Sequence, residues 1–176
     1  MEANTDADLR FDPNFALTVL LELGREQSVQ ALMEKLTNSM VRRSGAIARL
    51  EIWLHERGDI CSRCPRRPEC PDQTRCLHLV ADRNYLLSGS LDRTPPSYQS
   101  EIRMPLGVGI IGKIATTGQG VVLEDLDHAP PELFPVEWLQ REQIRAFPGN
   151  AISFKGEVLG VLTGFARLYS MEEATV

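Results

Sequence analysis

All four cysteines of this 176-residue chain lie between positions 61 and 76, as Cys61, Cys64, Cys70 and Cys76. They sit in a polar stretch that also holds Pro65, Pro71 and the arginines Arg63, Arg66, Arg67 and Arg75. Three chemistries suit clustered cysteines. Two disulfides satisfy the parity, but stable disulfides belong mainly to oxidising compartments. The acidic stretch Met1–Asp12 lacks the basic start and apolar run of a secretory signal, so a reducing, cytoplasmic setting is expected. Inert buried thiols scatter through strands and helices rather than gathering in one polar loop. A metal centre accounts for the clustering, because one loop can fold several thiolates around a single point. The expected ligands are therefore Cys61, Cys64, Cys70 and Cys76. Pro65 and Pro71 limit the freedom of the loop, and the arginines offset thiolate charge. The centre is read as a [4Fe–4S] cluster or zinc. Zinc favours repeated C-x2-C pairs and the chain has one such pair, which tips the preference towards iron–sulfur.

The remaining candidates carry less chemistry. His78 lies two residues beyond Cys76, on the same strand face, and reads as a half-buried strand histidine or an outer donor to the centre. His55 and His128 have no carboxylate or nucleophile in register with them. Glu124, Asp125 and Asp127 form an acidic turn, read as solvated rather than cation-binding. Gly107, Gly109 and Gly112 spell G-x-G-x-x-G. No buried parallel strand precedes them and no acidic residue follows at the distance a dinucleotide site needs. They are read as room for a tight approach to a helix.

The elements that must position the cysteines follow from periodicity. Residues 1–12 are small, polar and acidic and read as a disordered lead, leaving one domain over 13–176 with a cysteine-rich loop at 57–76. Pro13 opens a helix whose apolar residues include Phe15, Val19 and Leu20. A second helix is predicted from Ser28 to Arg43, with Val29, Leu32, Met33, Leu36 and Met40 at helical spacing. The period then changes to two. Ala48, Leu50, Ile52 and Leu54 alternate with Arg49, Glu51 and Trp53 in a half-buried strand that enters the cysteine loop, and Leu77, Leu79 and Ala81 alternate as the chain leaves it. Further strands are expected at Ile102–Met104, Val121–Leu123, Ala151–Phe154 and Val158–Phe165, the last two joined by a tight hairpin at Lys155-Gly156. Helices are expected at Ile110–Thr117 and Glu137–Ile144. The order predicts an α+β domain with a largely antiparallel sheet.

Composition excludes several function classes. The chain is 43% apolar and 24% charged, as ordinary globular proteins are, and carries a net charge of −5. No basic field invites nucleic acid, and no apolar run reaches the length of a membrane span.

Pro105–Leu126 reads as a glycine-bounded helix followed by a strand and an acidic turn, and Phe154–Leu162 as a closing hairpin. In these segments the chain resembles the GAF family of signalling domains, in particular cysteine-bearing sensor domains at the N-terminus of bacterial enhancer-binding transcription activators and sensor kinases. The resemblance spans roughly residues 13–170. It implies a GAF-like, PAS-related fold with a central antiparallel sheet of about six strands flanked by helices. It also implies a regulatory, non-catalytic module in which the metal centre controls a transcription or signalling output. The alternatives it leaves are a cysteine-dependent enzyme similar to free methionine sulfoxide reductases, and a small-ligand module with a purely structural zinc. The implied partners are a second copy in a homodimer, an effector domain or partner protein, and a small-molecule ligand. The family's long final helix has no counterpart after the hairpin, so the C-terminal output helix is expected to be truncated.

Overall fold

The computed structural model describes residues 17, 20–21, 23–24, 26–44, 46–89, 91–92, 103–126 and 136–167. Expectations for residues 1–12, Phe15, Val19, Ile102, Asp127, His128 and the C-terminal residues 168–176 lie outside them.

The first full element, α1 (Val29–Arg43), starts where Ser28 accepts a hydrogen bond from the backbone N–H of Ala31 through its side chain. Arg42 and Arg43 occupy its last turn, where cations oppose the helix dipole. Strand β1 (Ile47–Arg57) pairs antiparallel with β2 (Arg75–Tyr85), and the two ladders close the cysteine loop at the opposed pair Arg57 and Arg75. The outer edge of β2 is shared by two short strands. β3 (Leu91–Asp92) pairs with its C-terminal end and β4 (Arg103–Pro105) with Cys76–His78. Helix α2 (Gly109–Thr117), strand β5 (Val121–Leu123) and helix α3 (Val136–Arg141) follow. The hairpin β6 (Phe147–Phe154) and β7 (Glu157–Ala166) ends the described chain. Its turn is Lys155-Gly156, both at positive φ, as a primed two-residue turn requires.

The strands form one antiparallel sheet of seven, ordered β3-β2-β1-β7-β6-β5 with β4 beside β2. The α+β expectation holds in this sheet and its flanking helices. Helix α1 lies on β1 and β2, and α2 on β4, β6 and β7. Ile114 of α2 packs with Trp53, Leu77 and Val161, and Trp138 and Leu139 of α3 pack with Phe147 and Phe165. Residues with 2.0 periodicity therefore meet residues with 3.6 periodicity across the layer, which is what excludes water from both.

Two expectations are corrected. Strand β1 is not half-buried: residues 48–53 are buried consecutively, because elements cover both of its faces. Arg49 and Glu51 are consequently internal, at 0% and 1% exposure, and are stabilised by pairing. Glu51 accepts from Arg49 Nε at 2.7 Å, from the Trp53 indole at 3.1 Å and from the Thr163 hydroxyl at 3.0 Å, while Arg49 also reaches Asp82 at 3.1 Å. Arg49, Glu51 and Trp53 share one face of β1 by simple alternation, and the register shift beside Trp53 is taken up on β2, at Val80. Helix α3 stops at Arg141 rather than Ile144, because Gln143 adopts a positive φ and the Ile144 N–H returns to the Leu139 carbonyl.

Candidate metal centre

Residues 58–74 form an insertion in the β1–β2 hairpin, built from successive tight turns. Backbone bonds join Arg63 to Ile60, Arg67 to Cys64 and Cys70 to Arg67, and a 3-10 turn at Arg67–Glu69 carries Pro68. Prolines after Cys64 and Cys70 fix φ just past each sulfur and remove a donor that the turns do not use. The Asp72 carboxylate accepts from the backbone N–H of Thr74 and returns the chain to β2.

This path brings all four cysteines to one place. Cys61, Cys64, Cys70 and Cys76 line a single cavity with Asp59, Ile60, Arg67, Gln73, Arg75, Arg103 and Pro105, enclosing about 330 Å³ with its open mouth included. Cys76 is buried at the start of β2, and the other three are half-buried. All four are free thiols. Cys61 donates to the Gln73 carbonyl at 3.0 Å and Cys70 to the Asp72 carbonyl at 3.3 Å. Gly58 is what admits Cys61: a β-carbon there would overlap its sulfur. Among the described residues, no three His, Cys, Asp or Glu side chains are drawn tightly enough together to hold an ion as they stand. The four sulfurs line the cavity without forming such a group as they stand.

Electrostatics across the cavity are asymmetric. Burial pushes the Cys76 thiol up to about 11, with the neighbouring Cys61 sulfur adding to the rise, and burial likewise raises Cys70. Arg103 opposes this at Cys76. It holds Asp59 in a two-pronged ion pair at 2.8 and 2.6 Å, which keeps the Asp59 carboxyl well below the usual carboxylate range. His78 lies behind the wall, 6% exposed, with Nδ1 3.2 Å from Glu56 and Nε2 3.8 Å from Asp59. Burial, then Arg103, lowers its pKa.

Of the four arginines singled out in the sequence, Arg67 and Arg75 line the cavity, while Arg66 pairs with Glu69 at 3.1 Å. Sequence reasoning missed Asp59 and Arg103. Arg103 arrives through the β2–β4 pairing, which sets it opposite His78, and the only sequence signal was its polar place in an otherwise apolar short strand. Glu124 and Asp125 are exposed, as read, and the three glycines of G-x-G-x-x-G make the turn into α2. Gly107 and Gly109 take positive φ, and a side chain on Gly112 would run into Pro105 and the Gly107 N–H.

The model of the GAF domain family matches residues 26–165, well over half of the chain. The chain belongs to the GAF family. Solved GAF structures agree in fold. The A. aeolicus nlh2 GAF domain in an inactive state is 17% identical, with a TM-score of 0.61 over 92% of this chain and 83% of that one. The GAF domain of a phosphoenolpyruvate-protein phosphotransferase from Coxiella burnetii is 16% identical, with a TM-score of 0.58 over 92% and 82%. A type II free methionine-R-sulfoxide reductase from Thermoplasma acidophilum is 13% identical, with a TM-score of 0.54 over 83% and 80%. No curated protein sequence matches the chain. The third structure corrects the expectation that this GAF module is non-catalytic: an enzyme shares its fold. The physical reason is that sheet and helices fix only a scaffold, while the loops that carry reactive side chains vary independently of it. No helix among the described residues is long and apolar enough to cross a membrane.

Proposed function

We propose that this GAF domain is a signal-input module whose cysteine loop holds one thiolate-bound metal centre, and that the centre is the input. The observation that carries the reading is that four thiols from a polar insertion and the strand after it line one cavity, with Arg67, Arg75 and Arg103 in its wall. The donor set fits. Four soft sulfurs suit an iron–sulfur cluster or zinc, and guanidinium groups offset the negative charge that four thiolates bring. The lean towards a [4Fe–4S] cluster over zinc rests on the spacing along the chain, which holds one C-x2-C pair where zinc sites favour two.

Cys61 and Cys70, which donate to the Gln73 and Asp72 carbonyls, would give up those S–H···O bonds to hold a metal as thiolates. When bound, an iron–sulfur cluster would supply one-electron redox chemistry and reactivity towards oxygen or nitric oxide beyond that of the thiols themselves. The chain's own contribution is to hold the loop ends on a fixed ladder and to keep Arg103 against Asp59 at the cavity wall. A change in ligation reorganises the loop while the sheet stays folded. The reading includes a homodimer, for which exposed Leu17, Leu20, Leu21 and Val29 offer apolar surface; sedimentation at high concentration gives a dimer if it is right and a monomer if it is wrong.

The experiment is anaerobic purification with iron, zinc and acid-labile sulfide analysis and an absorption spectrum. Iron with sulfide and a visible charge-transfer band supports the cluster; one zinc per chain assigns the same ligands to a structural ion. Absence of both metals, together with a Cys64→Ser variant unchanged in spectrum and stability, ends the proposal. Thiol-dependent turnover of free methionine-R-sulfoxide would assign the cysteines to catalysis instead.

A further inference from the structure

A second, shallow surface hollow lies beside the cysteine cavity, lined by Gly58 and by the exposed residues Arg57, Gln73, Thr74 and Arg75. Its two arginines are direct cross-strand partners, the last pair of the β1–β2 ladder. Like charges set opposite each other on an antiparallel pair repel and weaken it. Other arginines in the molecule have acids: Arg49 pairs with Glu51 and Asp82, Arg66 with Glu69, Arg103 with Asp59. Arg57 and Arg75 make no side-chain hydrogen bond or ion pair with a described residue, and neither do the Gln73 amide and the Thr74 hydroxyl. The neighbouring acids are engaged elsewhere. Glu56 faces His78, Asp59 faces Arg103 and Asp72 caps the Thr74 backbone.

Two guanidinium forks, an amide and a hydroxyl thus stand around one open space, with no carboxylate of a described residue paired to either fork. Guanidinium groups bind phosphate oxygens in parallel pairs of N–H···O bonds, and the other two groups add further donors. We infer that this cleft binds a phosphate group, free or carried by a small molecule, between Arg57 and Arg75. The anion removes the repulsion at the end of the ladder and so tightens the strand ends from which the cysteine loop departs. The two sites share a wall, since Gln73 and Arg75 line both and the Gln73 carbonyl accepts from Cys61. Arg75 lines both sites, so the test is carried by Arg57, which lines only this one.

Calorimetric titration of the full chain with inorganic phosphate, and separately with glycerol 3-phosphate, tests it at an ionic strength held constant with sodium chloride. Saturable one-to-one binding of either probe is expected, with tighter binding of the ester marking an organic source and equal binding a free anion. Arg57→Gln should weaken binding about tenfold or more, and Arg57→Lys should also weaken it because the fork is lost. Arg42→Gln, an exposed arginine on α1 outside the cleft, should leave it unchanged. Phosphate should raise the melting temperature of the parent and not that of Arg57→Gln, while the metal content of both stays equal. Absence of saturable binding at constant ionic strength, or equal binding by parent and Arg57→Gln, overturns the inference.

Discussion

Replacing Gly58 by alanine tests whether Cys61 has to face the cavity. The added methyl group would overlap the Cys61 sulfur and lie 3.2 Å from the Gln73 carbonyl oxygen, the acceptor of that thiol. Relaxed contacts between such atoms begin at about 3.5 Å, so the sulfur must retreat by on the order of 1 Å. Rotation about χ1 to another staggered well is the ready escape, and it takes the sulfur off the cavity wall. The fold should barely notice. Gly58 is not among the residues at positive φ, and the displaced atom is the end of a side chain, so stability should stay within about 1 kcal/mol of the parent. Metal binding should not be spared. A structural thiolate site is worth about 10–16 kcal/mol over four ligands, or roughly 3 kcal/mol for each, which is a loss on the order of a hundredfold in affinity. Anaerobic competition with a chelator measures this, beside a thermal melt of the metal-free variants. Cys61→Ser should lose a similar amount, and the double variant no more than Cys61→Ser alone, because both substitutions remove one interaction. Parental affinity in Gly58→Ala would show that Cys61 is not a ligand in this orientation, and additive losses in the double variant would show that Gly58 acts through something else.

Glu51→Ala should destabilise the domain by about 3–5 kcal/mol in urea unfolding, because it takes from the fully buried Arg49 guanidinium its buried acid, leaving the partly exposed Asp82, and strands the Trp53 and Thr163 donors; a loss below about 1 kcal/mol would mean the group is hydrated. His55 should make the fold acid-sensitive. Its Nε2 is buried without a hydrogen-bond partner among the described residues, and burial, then Arg75, lowers its pKa from 6.5. The unfolded chain therefore binds the proton first, and stability falls as pH drops through about 6.5 towards the folded value. His55→Gln should flatten the decline in unfolding free energy between about pH 7.5 and about pH 5, and an unchanged slope would remove His55 as its cause. Chelation or oxidative loss of the metal should leave far-UV circular dichroism close to that of the loaded protein, since no residue of 58–74 belongs to the buried core; global unfolding on metal removal would contradict this.

What was legible in the sequence was whatever one strand or one helix writes by itself. The alternation around Ile52 and Leu77, the helical spacing from Val29 to Met40 and the Lys155-Gly156 turn located their elements to within a few residues. The cysteines were legible as a group because clustering along the chain forces proximity when the loop ends are tied. Proximity supplied by the sheet was not legible. Arg103 meets Asp59 only because β4 pairs with β2, and that register is set by packing of Met104 among Trp53, Leu77 and α2 rather than by anything near Arg103 in sequence. Arg49 and Glu51 were misplaced for a related reason. An alternating strand looks the same whether its polar face meets water or a second buried layer, and only the cross-strand partners Asp82 and Thr163 distinguish the two.

The cysteine loop begins and ends on two residues that face each other across a ladder, Arg57 and Arg75. Its ends are therefore held together whether or not a metal is present, and the sheet has already met the entropy of closing it. Organising four sulfurs then asks only for local ordering of turns that proline has already stiffened. Such an insertion is modular. Moved as residues 57–76 into another antiparallel hairpin of the same register, it should keep its metal preference, and shortened to a plain turn it should leave behind a GAF sheet that folds without it.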